Sequence, residues 1–171
     1  MLTDGNLTLR PPRDEDAQAI CEAAQDPEVP RWTSVPSPYV LDNARQWFEC
    51  TRTEAAEGRK RAFLAFLDVE FAASISFMEL DRQPHYGEIG YWVAAPARRQ
   101  GVASRAVRLL KAFGENELGL TRIELLVDEA NVASRKTAER AGFVDTGERR
   151  PAPRTETPGP ASHMVYAWSA E

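Results

Sequence analysis

The segment from Tyr86 to Ala112, YGEIGYWVAAPARRQGVASRAVRLLKA, changes its hydrophobic pattern part-way along. Ile89, Tyr91 and Val93 alternate with the residues between them, which predicts a half-buried strand. Pro96 ends this strand because proline has no backbone N–H to donate. Beyond a short basic turn the apolar residues recur at helical spacing. The segment therefore predicts a strand, a basic turn and an amphipathic helix.

The basic turn has the chemistry of a phosphate-binding loop. The first N–H groups of a helix have no acceptor within the helix and carry the positive end of its dipole. A phosphate placed there accepts several of these N–H groups at once. Gly101 and Ala103 keep bulky side chains away from a ligand, and Arg98 and Arg99 add positive charge. An ordinary strand-turn-helix with a glycine in its turn is the alternative, and glycine spacing alone does not exclude it.

Two motifs taken together resemble those of the GNAT superfamily of N-acetyltransferases. Arg98-x-x-Gly-x-Ala103 is similar to the family's loop for the pyrophosphate of acetyl-CoA. Asn131-x-x-Ser134, followed by Gly142-Phe143, is similar to its downstream segment. The resemblance covers nearly the whole chain. It is strongest to the RimJ/RimL branch, through the segments Arg31-Trp-Thr33, Pro38-Tyr39 and Glu88-Ile-Gly-Tyr-Trp92.

This resemblance implies an acetyl-CoA-dependent N-acetyltransferase that transfers an acetyl group to a primary amine by direct attack on the thioester. The acceptor would be a protein N-terminal α-amine, as in ribosomal-protein acetylation, or a small-molecule amine. A homodimer is also compatible with the family. Matching the family motifs residue by residue gives the cofactor-binding set, which is Val93, Arg98, Arg99, Gln100, Gly101, Val102, Ala103, Ser104, Asn131 and Ser134.

Glu88 and Ser134 are the candidate catalytic residues. Glu88 shares a strand face with Trp92 close to the loop and is the candidate general base, with an exposed strand glutamate as the alternative. Ser134 is the candidate to support the leaving thiolate, because some RimL-like proteins use a serine there. Its alternative is a serine that bonds to nearby backbone at a helix start. Asn131 would hydrogen-bond the pantetheine arm, cap the helix, or do both.

The chain departs from the usual GNAT pattern at two catalytic positions. Ala138 stands where many members carry a tyrosine general acid, and Leu126 stands where some carry a catalytic glutamate. Either catalysis then rests on binding and orientation, or other residues move the proton. The departures also leave open a second function, a non-catalytic acyl-CoA-binding sensor with the same fold.

The proline-rich segment from Pro27 to Pro38 predicts a loop, because proline is excluded from helix interiors and central strands. It contains Trp32 and leads into Tyr39. In the resembled family this region borders the acceptor pocket. Trp32, Tyr39 and Glu88 are therefore the predicted substrate-binding residues, and the alternative for the two aromatic residues is that they cover the core.

Composition places the chain among proteins with one soluble domain. Its 171 residues, 43% of them hydrophobic and 27% charged, are enough for a single packed core. No apolar run approaches the roughly 20 residues that span a bilayer, and the first residues lack a signal-peptide pattern, so a cytoplasmic protein without a membrane partner is expected. Two cysteines and no metal-like cluster predict neither disulfides nor a metal. A net charge of −5 argues against a nucleic-acid partner.

The order of helical and strand patterns predicts one mixed α/β (α+β) domain over residues 1–171. About four helices should flank a central, mostly antiparallel sheet of six to seven strands. Residues 149–162 are rich in proline and arginine and predict a mobile loop.

A Rossmann fold is the rival interpretation. It would place Gly-x-Gly-x-x-Gly after the first strand of a βαβ unit, with an acidic residue about 20 positions later. Here the loop lies mid-chain with one glycine, and Glu124 at about that distance falls inside a predicted strand. These differences favour the acetyltransferase fold.

Overall fold

An eight-stranded sheet runs through the protein in the computed structural model, which describes residues 1–80, 85–151 and 162–170. The spatial order of the strands is β1-β2-β3-β4-β5-β6-β8-β7. Neighbouring strands are antiparallel except for β5 and β6. The strands are β1 Leu2–Asp4, β2 Leu7–Arg10, β3 Arg61–Leu67, β4 Glu70–Glu79, β5 Tyr86–Val93, β6 Arg122–Asp128, β7 Val144–Pro151 and β8 Ser162–Ser169.

Helices cover both faces of this sheet, which confirms the predicted mixed α/β class. Short 3-10 turns at Asp14–Asp16 and Ala95–Ala97 precede α1 and α4. None of the helices in the described ranges combines the length and apolar character needed to cross a bilayer. The α-helices are α1 Ala17–Ala23, α2 Glu28–Trp32, α3 Leu41–Ala56, α4 Val102–Leu118 and α5 Val132–Arg140.

The described chain contains eight strands and five α-helices, more than the six to seven strands and four helices predicted. The extra strand is β1, whose three residues are too few to show an alternating pattern. The extra helix is α2, which lies inside the segment predicted as a loop. Pro30 is its third residue, and the N–H groups of a first helical turn have no acceptor within the helix. Proline is tolerated there, so the loop prediction was wrong over Glu28–Trp32.

The predicted loop over residues 149–162 also began too early and ended one residue too late. Arg149, Arg150 and Pro151 belong to β7, where Arg149 pairs with Met164, and Ser162 already belongs to β8. Pro151 is compatible with this strand because β7 lies at the edge of the sheet, where one side of the backbone needs no partner. The rest of the predicted loop, residues 152–161, lies outside the described residues.

Two apolar clusters fill the space between the sheet and the helices. The larger joins α4 and α5 to one face of the sheet, with Val107, Leu110 and Ile123 fully buried. The smaller joins α1 and α3 to the other face over β3. Its buried members are Ala17, Ile20, Ala24, Tyr39, Ala44, Phe48 and Leu64.

The parallel strands β5 and β6 separate along their length. Their pairing runs from Tyr86 with Arg122 only as far as Glu88 with Glu124. Beyond that point β5 continues beside β4 as far as Val93, while β6 continues beside β8 as far as its last residue. An opening therefore forms between residues 89–93 and residues 125–128, and we call it the β5–β6 cleft. Helix α4 makes the crossover between the two strands, which puts its first turn at the cleft's wide end.

Candidate active site

The loop from Arg98 to Gly101 presents the first turn of α4 to the cleft. Gly101 precedes the helix with φ +75° and ψ 4°, a left-handed conformation that residues with a Cβ adopt at a cost. Arg99 also has a positive φ, of 62°. A Cβ on Gly101 would meet no atom within 4 Å, so the backbone angle, and not a lack of space, favours glycine here.

Side chains of the loop form hydrogen bonds and an ion pair that hold it against the rest of the protein. The Arg98 Nε donates to the carbonyl oxygen of Val93 at 3.1 Å, and Arg98 Nη1 pairs with Asp26 at 2.8 Å. Gln100 Nε2 donates to Pro96 O at 2.8 Å. The Arg98 guanidinium therefore ties the loop to the end of β5 and to the connection between α1 and α2.

Two residues of the first helical turn point inward and fix its geometry. Ser104 is buried, and its Oγ donates to Gly101 O at 3.1 Å. Val102 is 1% exposed and belongs to the large core cluster. With these side chains turned to the protein, the groups left to meet a ligand are the backbone N–H groups of residues 102–104, the small Ala103 and the exposed Arg99.

Asn131 and Ser134 form the opposite wall of the cleft, where β6 connects to α5. Asn131 is the N-cap of α5, and its Oδ1 accepts a hydrogen bond from Ser134 N at 3.0 Å. The predicted capping role of Asn131 is thus confirmed. Its contact with a pantetheine arm stays a prediction, and its amide Nδ2 is the group that would make it.

Ser134 meets a residue that the sequence analysis did not select. The hydroxyl of Tyr91, on β5, lies 2.9 Å from Ser134 Oγ, so the two side chains connect the walls of the cleft. Burial raises the pKa of Tyr91, and hydrogen bonds with Ser134 and Thr137 offset only part of this rise. The phenol therefore stays protonated at neutral pH. In the sequence Tyr91 is one apolar position of an alternating strand, which indicates a core residue and gives no sign of its partner.

Glu88 lies near the narrow end of the cleft, on the sheet face opposite to Tyr91. It is half-buried and pairs in register with Glu124 of β6. Tyr91 lies three positions further along the strand, at a distance of about 10 Å. The two predicted catalytic residues, Glu88 and Ser134, are thus associated with different ends of the cleft, and the role of Glu88 stays a prediction.

A buried ionic cluster closes the narrow end. Glu124 is 0% exposed and accepts hydrogen bonds from Tyr86 at 2.9 Å, Arg122 Nε at 2.7 Å and Arg150 Nη1 at 2.6 Å. Burial alone would raise the pKa of Glu124, but the hydrogen bonds from Arg150, Arg122 and Tyr86 outweigh it and hold the pKa below its ordinary value. The cluster joins β5, β6 and β7, so it has a structural function at the closed end.

The two predicted substrate-binding aromatic residues occupy different environments. Trp32 ends α2, is half-buried, and donates its Nε1 hydrogen to Glu28 at 2.9 Å. Tyr39 is 8% exposed and packs in the smaller core cluster, where burial raises its pKa to about 12. Trp32 is therefore the more available of the two to an acceptor, and Tyr39 packs as the alternative interpretation describes. The substrate role of both residues stays a prediction.

Comparison with known proteins agrees with this architecture. The acetyltransferase (GNAT) domain model matches residues 6–144. The uncharacterised N-acetyltransferase p20 of Bacillus licheniformis is 29% identical over 143 residues, which cover 82% of this chain and 80% of that protein. The chain therefore belongs to the GNAT acetyltransferase family.

Solved structures share the whole fold. RimJ of Mycobacterium smegmatis, in complex with a CoA disulfide, superposes with a TM-score of 0.87 at 24% identity, covering 96% of this chain and 82% of that one. RimL, an α-N-acetyltransferase of ribosomal protein L7/L12 in complex with coenzyme A, gives a TM-score of 0.87 at 19% identity, with coverages of 97% and 95%. The predicted fold is thus confirmed, and RimJ and RimL are among the proteins that share it.

Proposed function

We propose that this protein transfers the acetyl group of acetyl-CoA to a primary amine, and that the amine is a protein N-terminal α-amine. The observation that carries the proposal is the β5–β6 cleft with the first turn of α4 at its wide end. Coenzyme A needs an anion site for its diphosphate and polar groups along its pantetheine arm; the first turn of α4 would supply the first, and the part of β5 that is not paired with β6 would supply the second.

The residues around the cleft fit this cofactor part by part. The diphosphate would accept the N–H groups of residues 102–104, beside Gly101 and Arg99. The pantetheine amides would lie along β5 beyond Glu88, where the strand is no longer paired with β6. The thioester would then reach Ser134, which the predicted mechanism uses to support the thiolate.

The acceptor class follows from the pKa of amines. A peptide α-amine has a pKa near 8, so about a tenth is neutral at pH 7 and selecting that fraction costs about 1.4 kcal/mol. A lysine amine with a pKa near 10.4 would cost nearly 5 kcal/mol. The usual tyrosine position is Ala138, which is fully buried and cannot assist a proton transfer. A site with modest acid-base help suits the α-amine, in line with the named substrates of RimL. In this proposal Glu88 accepts the amine proton through a bridging water, because it lies at the other end of the cleft from Ser134.

A binding test comes first. The melting temperature is measured without ligand and in the presence of acetyl-CoA, CoA, NADH or ATP. Each ligand that binds is used near 100 times its dissociation constant. Binding at that level stabilises by about 2.7 kcal/mol, or roughly 5–10 °C for a chain of this size. A rise in melting temperature with acetyl-CoA and with CoA supports coenzyme A as the cofactor. A shift with NADH alone, or with none of the four, contradicts it.

A turnover test separates the enzyme from the sensor. Release of free thiol from acetyl-CoA is followed with peptides that carry a free N-terminus, and with matched peptides that have a blocked N-terminus and one lysine. We expect thiol release with the first set and little with the second. Binding of acetyl-CoA without thiol release from any amine would favour the acyl-CoA sensor. Thiol release with the lysine peptides alone would contradict the proposal that the acceptor is an α-amine.

A further inference from the structure

We propose that Tyr91 is a positioning residue for Ser134. It donates its phenolic hydrogen to Ser134 Oγ, so that the serine's own hydrogen is directed at the sulfur of the bound thioester. The inference rests on the proposed function and deepens it, because it assigns the group that completes the thiolate site.

The contact joins a strand and a helix that are 43 residues apart in the sequence. Tyr91 stands on β5 between β4 and the cleft, paired with Ile75 of the neighbouring strand. Ser134 is the third residue of α5, and its backbone N–H is already held by the Asn131 cap at 3.0 Å. The 2.9 Å separation of the two hydroxyl oxygens is therefore set by a strand on one side and a capped helix on the other.

The relative acidity of the two hydroxyl groups favours Tyr91 as the donor. Each hydroxyl has a single hydrogen, so only one of the two oxygens can donate within the pair. A phenol, with an ordinary pKa near 10, is a far stronger donor than an aliphatic alcohol. In the proposed arrangement Tyr91 donates to Ser134, and the hydrogen of Ser134 is left for a third partner. The same orientation keeps Ser134 from donating back to the strand.

That third partner is the sulfur in the reaction. Acetyl-CoA, when bound, supplies a thioester whose C–S bond breaks as the amine nitrogen bonds to the acetyl carbon; the electron pair goes to sulfur, and one proton lost by nitrogen finally neutralises it. Ser134 donates its hydrogen bond while the sulfur is negative. Tyr91 makes that donation stronger, because a hydroxyl that accepts a hydrogen bond becomes a better donor.

The pair also accounts for the missing tyrosine of the family pattern. Ala138 lies one turn after Ser134 on α5 and is fully buried, so α5 supplies no phenol there. Tyr91 brings a phenol to the same helix from β5, against Ser134 and close to Thr137.

The test measures binding as well as turnover. Affinities for CoA and for desulfo-CoA, which lacks the sulfur, are measured by calorimetry at pH 7 and pH 9.5. A free thiol with a pKa near 8.5 is largely thiolate at the higher pH. In the wild type we expect the affinity for CoA, relative to desulfo-CoA, to rise about tenfold between the two pH values. Tyr91→Phe and Ser134→Ala should each lose most of this rise and keep their affinity for desulfo-CoA.

A double variant shows whether the two residues act as one unit. Tyr91→Phe and Ser134→Ala should each lower kcat about five- to twentyfold with KM for acetyl-CoA unchanged. Adding Tyr91→Phe to Ser134→Ala should then lower kcat no further. Full additivity of the two losses would overturn the proposal, and so would a Tyr91→Phe variant that keeps both its kcat and its preference for the thiolate.

Tyr166→Phe is the matched control. Tyr166 is a buried tyrosine of the large core cluster, against which the half-buried Tyr91 also packs, but the hydroxyl of Tyr166 donates to Glu139 at 3.4 Å. The Tyr166→Phe variant should keep the wild-type preference for CoA over desulfo-CoA at pH 9.5. Loss of that preference in this variant would indicate general loosening of the core. If Tyr91→Phe fails to bind desulfo-CoA, 3-fluorotyrosine at position 91 replaces it. This residue keeps the hydroxyl group but ionises at lower pH, so the preference for CoA over desulfo-CoA should fall at pH 9.5. An unchanged preference overturns the proposal. A wild type that binds neither ligand would instead refute the proposed function.

Discussion

At the scale of single residues, the site depends on where small and polar side chains stand. Gly101 allows the left-handed turn before α4, and Asn131 caps α5 and so fixes Ser134. Both roles follow from backbone geometry, which leaves the N–H groups of α4 facing the cleft. Arg98, which the family pattern suggests as a phosphate ligand, uses its guanidinium on Val93 and Asp26 and holds the loop in place.

Gly101→Glu should abolish acetyl-CoA binding because a carboxylate would stand at the proposed diphosphate site. The matched control is Gly58→Glu. Gly58 has nearly the same backbone angle, φ +78°, and the same open space within 4 Å, but it follows α3. Both variants should lose about 1 kcal/mol of unfolding free energy from the left-handed conformation. Calorimetric binding should separate them, and wild-type affinity in the Gly101 variant would refute the loop assignment.

Glu88→Gln should lower kcat/KM for the peptide acceptor about tenfold or more and move the pH–rate profile to higher pH. The amide cannot take the amine proton, so solvent must do so. Affinity for CoA should not change. Glu70→Gln, an exposed glutamate on the neighbouring strand β4, is the control and should behave as the wild type. An unchanged pH–rate profile in the Glu88 variant would remove this residue from the mechanism.

At the scale of elements, strand pairing decides the shape of the site. The parallel pair β5 and β6 separates after Glu88 and Glu124, and the closed end is held by ion pairs that reach across to β7. Arg150 of β7 contacts both the buried Glu124 and the more exposed Glu148. The edge strand therefore stabilises the closed end of the cleft from two strands away.

Arg150→Ala should lower the unfolding free energy by about 3 kcal/mol, since it leaves the buried Glu124 with fewer donors. Arg149→Ala is the control. Arg149 makes an exposed pair with Asp145 at 3.4 Å and donates to the carbonyl oxygen of its neighbour Glu148 at 3.0 Å, so its removal should cost less than about 1 kcal/mol. Urea unfolding measures the loss of unfolding free energy in both variants. Equal losses would show that the ionic cluster does not stabilise the closed end.

The pH dependence of the same variant has a definite sign. The pKa of Glu124 is lowered in the folded protein, so its interactions stabilise the fold above the ordinary pKa near 4.5 and are lost as the pH falls through the folded value. Removing Arg150 weakens this contribution. The unfolding free energy of the variant should therefore fall less steeply with acidification below about pH 4.5 than that of the wild type.

At the scale of the whole molecule, the last strand in sequence order lies inside the sheet and not at its edge. Strand β8 lies between β6 and β7, and its Val165 and Tyr166 are almost fully buried. The family model ends at residue 144, before either of these strands is complete. Strand β6, which leads into Asn131 and Ser134, thus pairs with residues that lie beyond the recognised domain.

A chain truncated after residue 143 should therefore lack a cooperative unfolding transition. It loses the full-length pairing of β8 with β6 and the buried Tyr166. Removal of residues 1–5 is the control, because β1 is an edge strand with three paired residues, and we expect it to lower the melting temperature by only a few degrees. A cooperative melt for the 1–143 chain would contradict this account.

Local patterns in the sequence determined the elements and the family of this protein. Alternation predicted β5, helical spacing predicted α4, and the glycine and asparagine motifs predicted the loop and the α5 cap, since each depends on neighbours within a few residues. Short elements were missed: β1 has three residues and α2 has five, fewer than a periodic pattern needs.

The tertiary structure alone decided which of these residues meet. Tyr91 and Ser134 are 43 residues apart, and Arg150 and Glu124 are 26 apart, yet each pair is in hydrogen-bond contact. Such contacts depend on strand order and on where β5 and β6 separate. Periodicity records whether a side chain faces the core, but it carries no information about which distant side chain lies opposite. For that reason the sequence indicated Ser134, and only the fold brought Tyr91 to it.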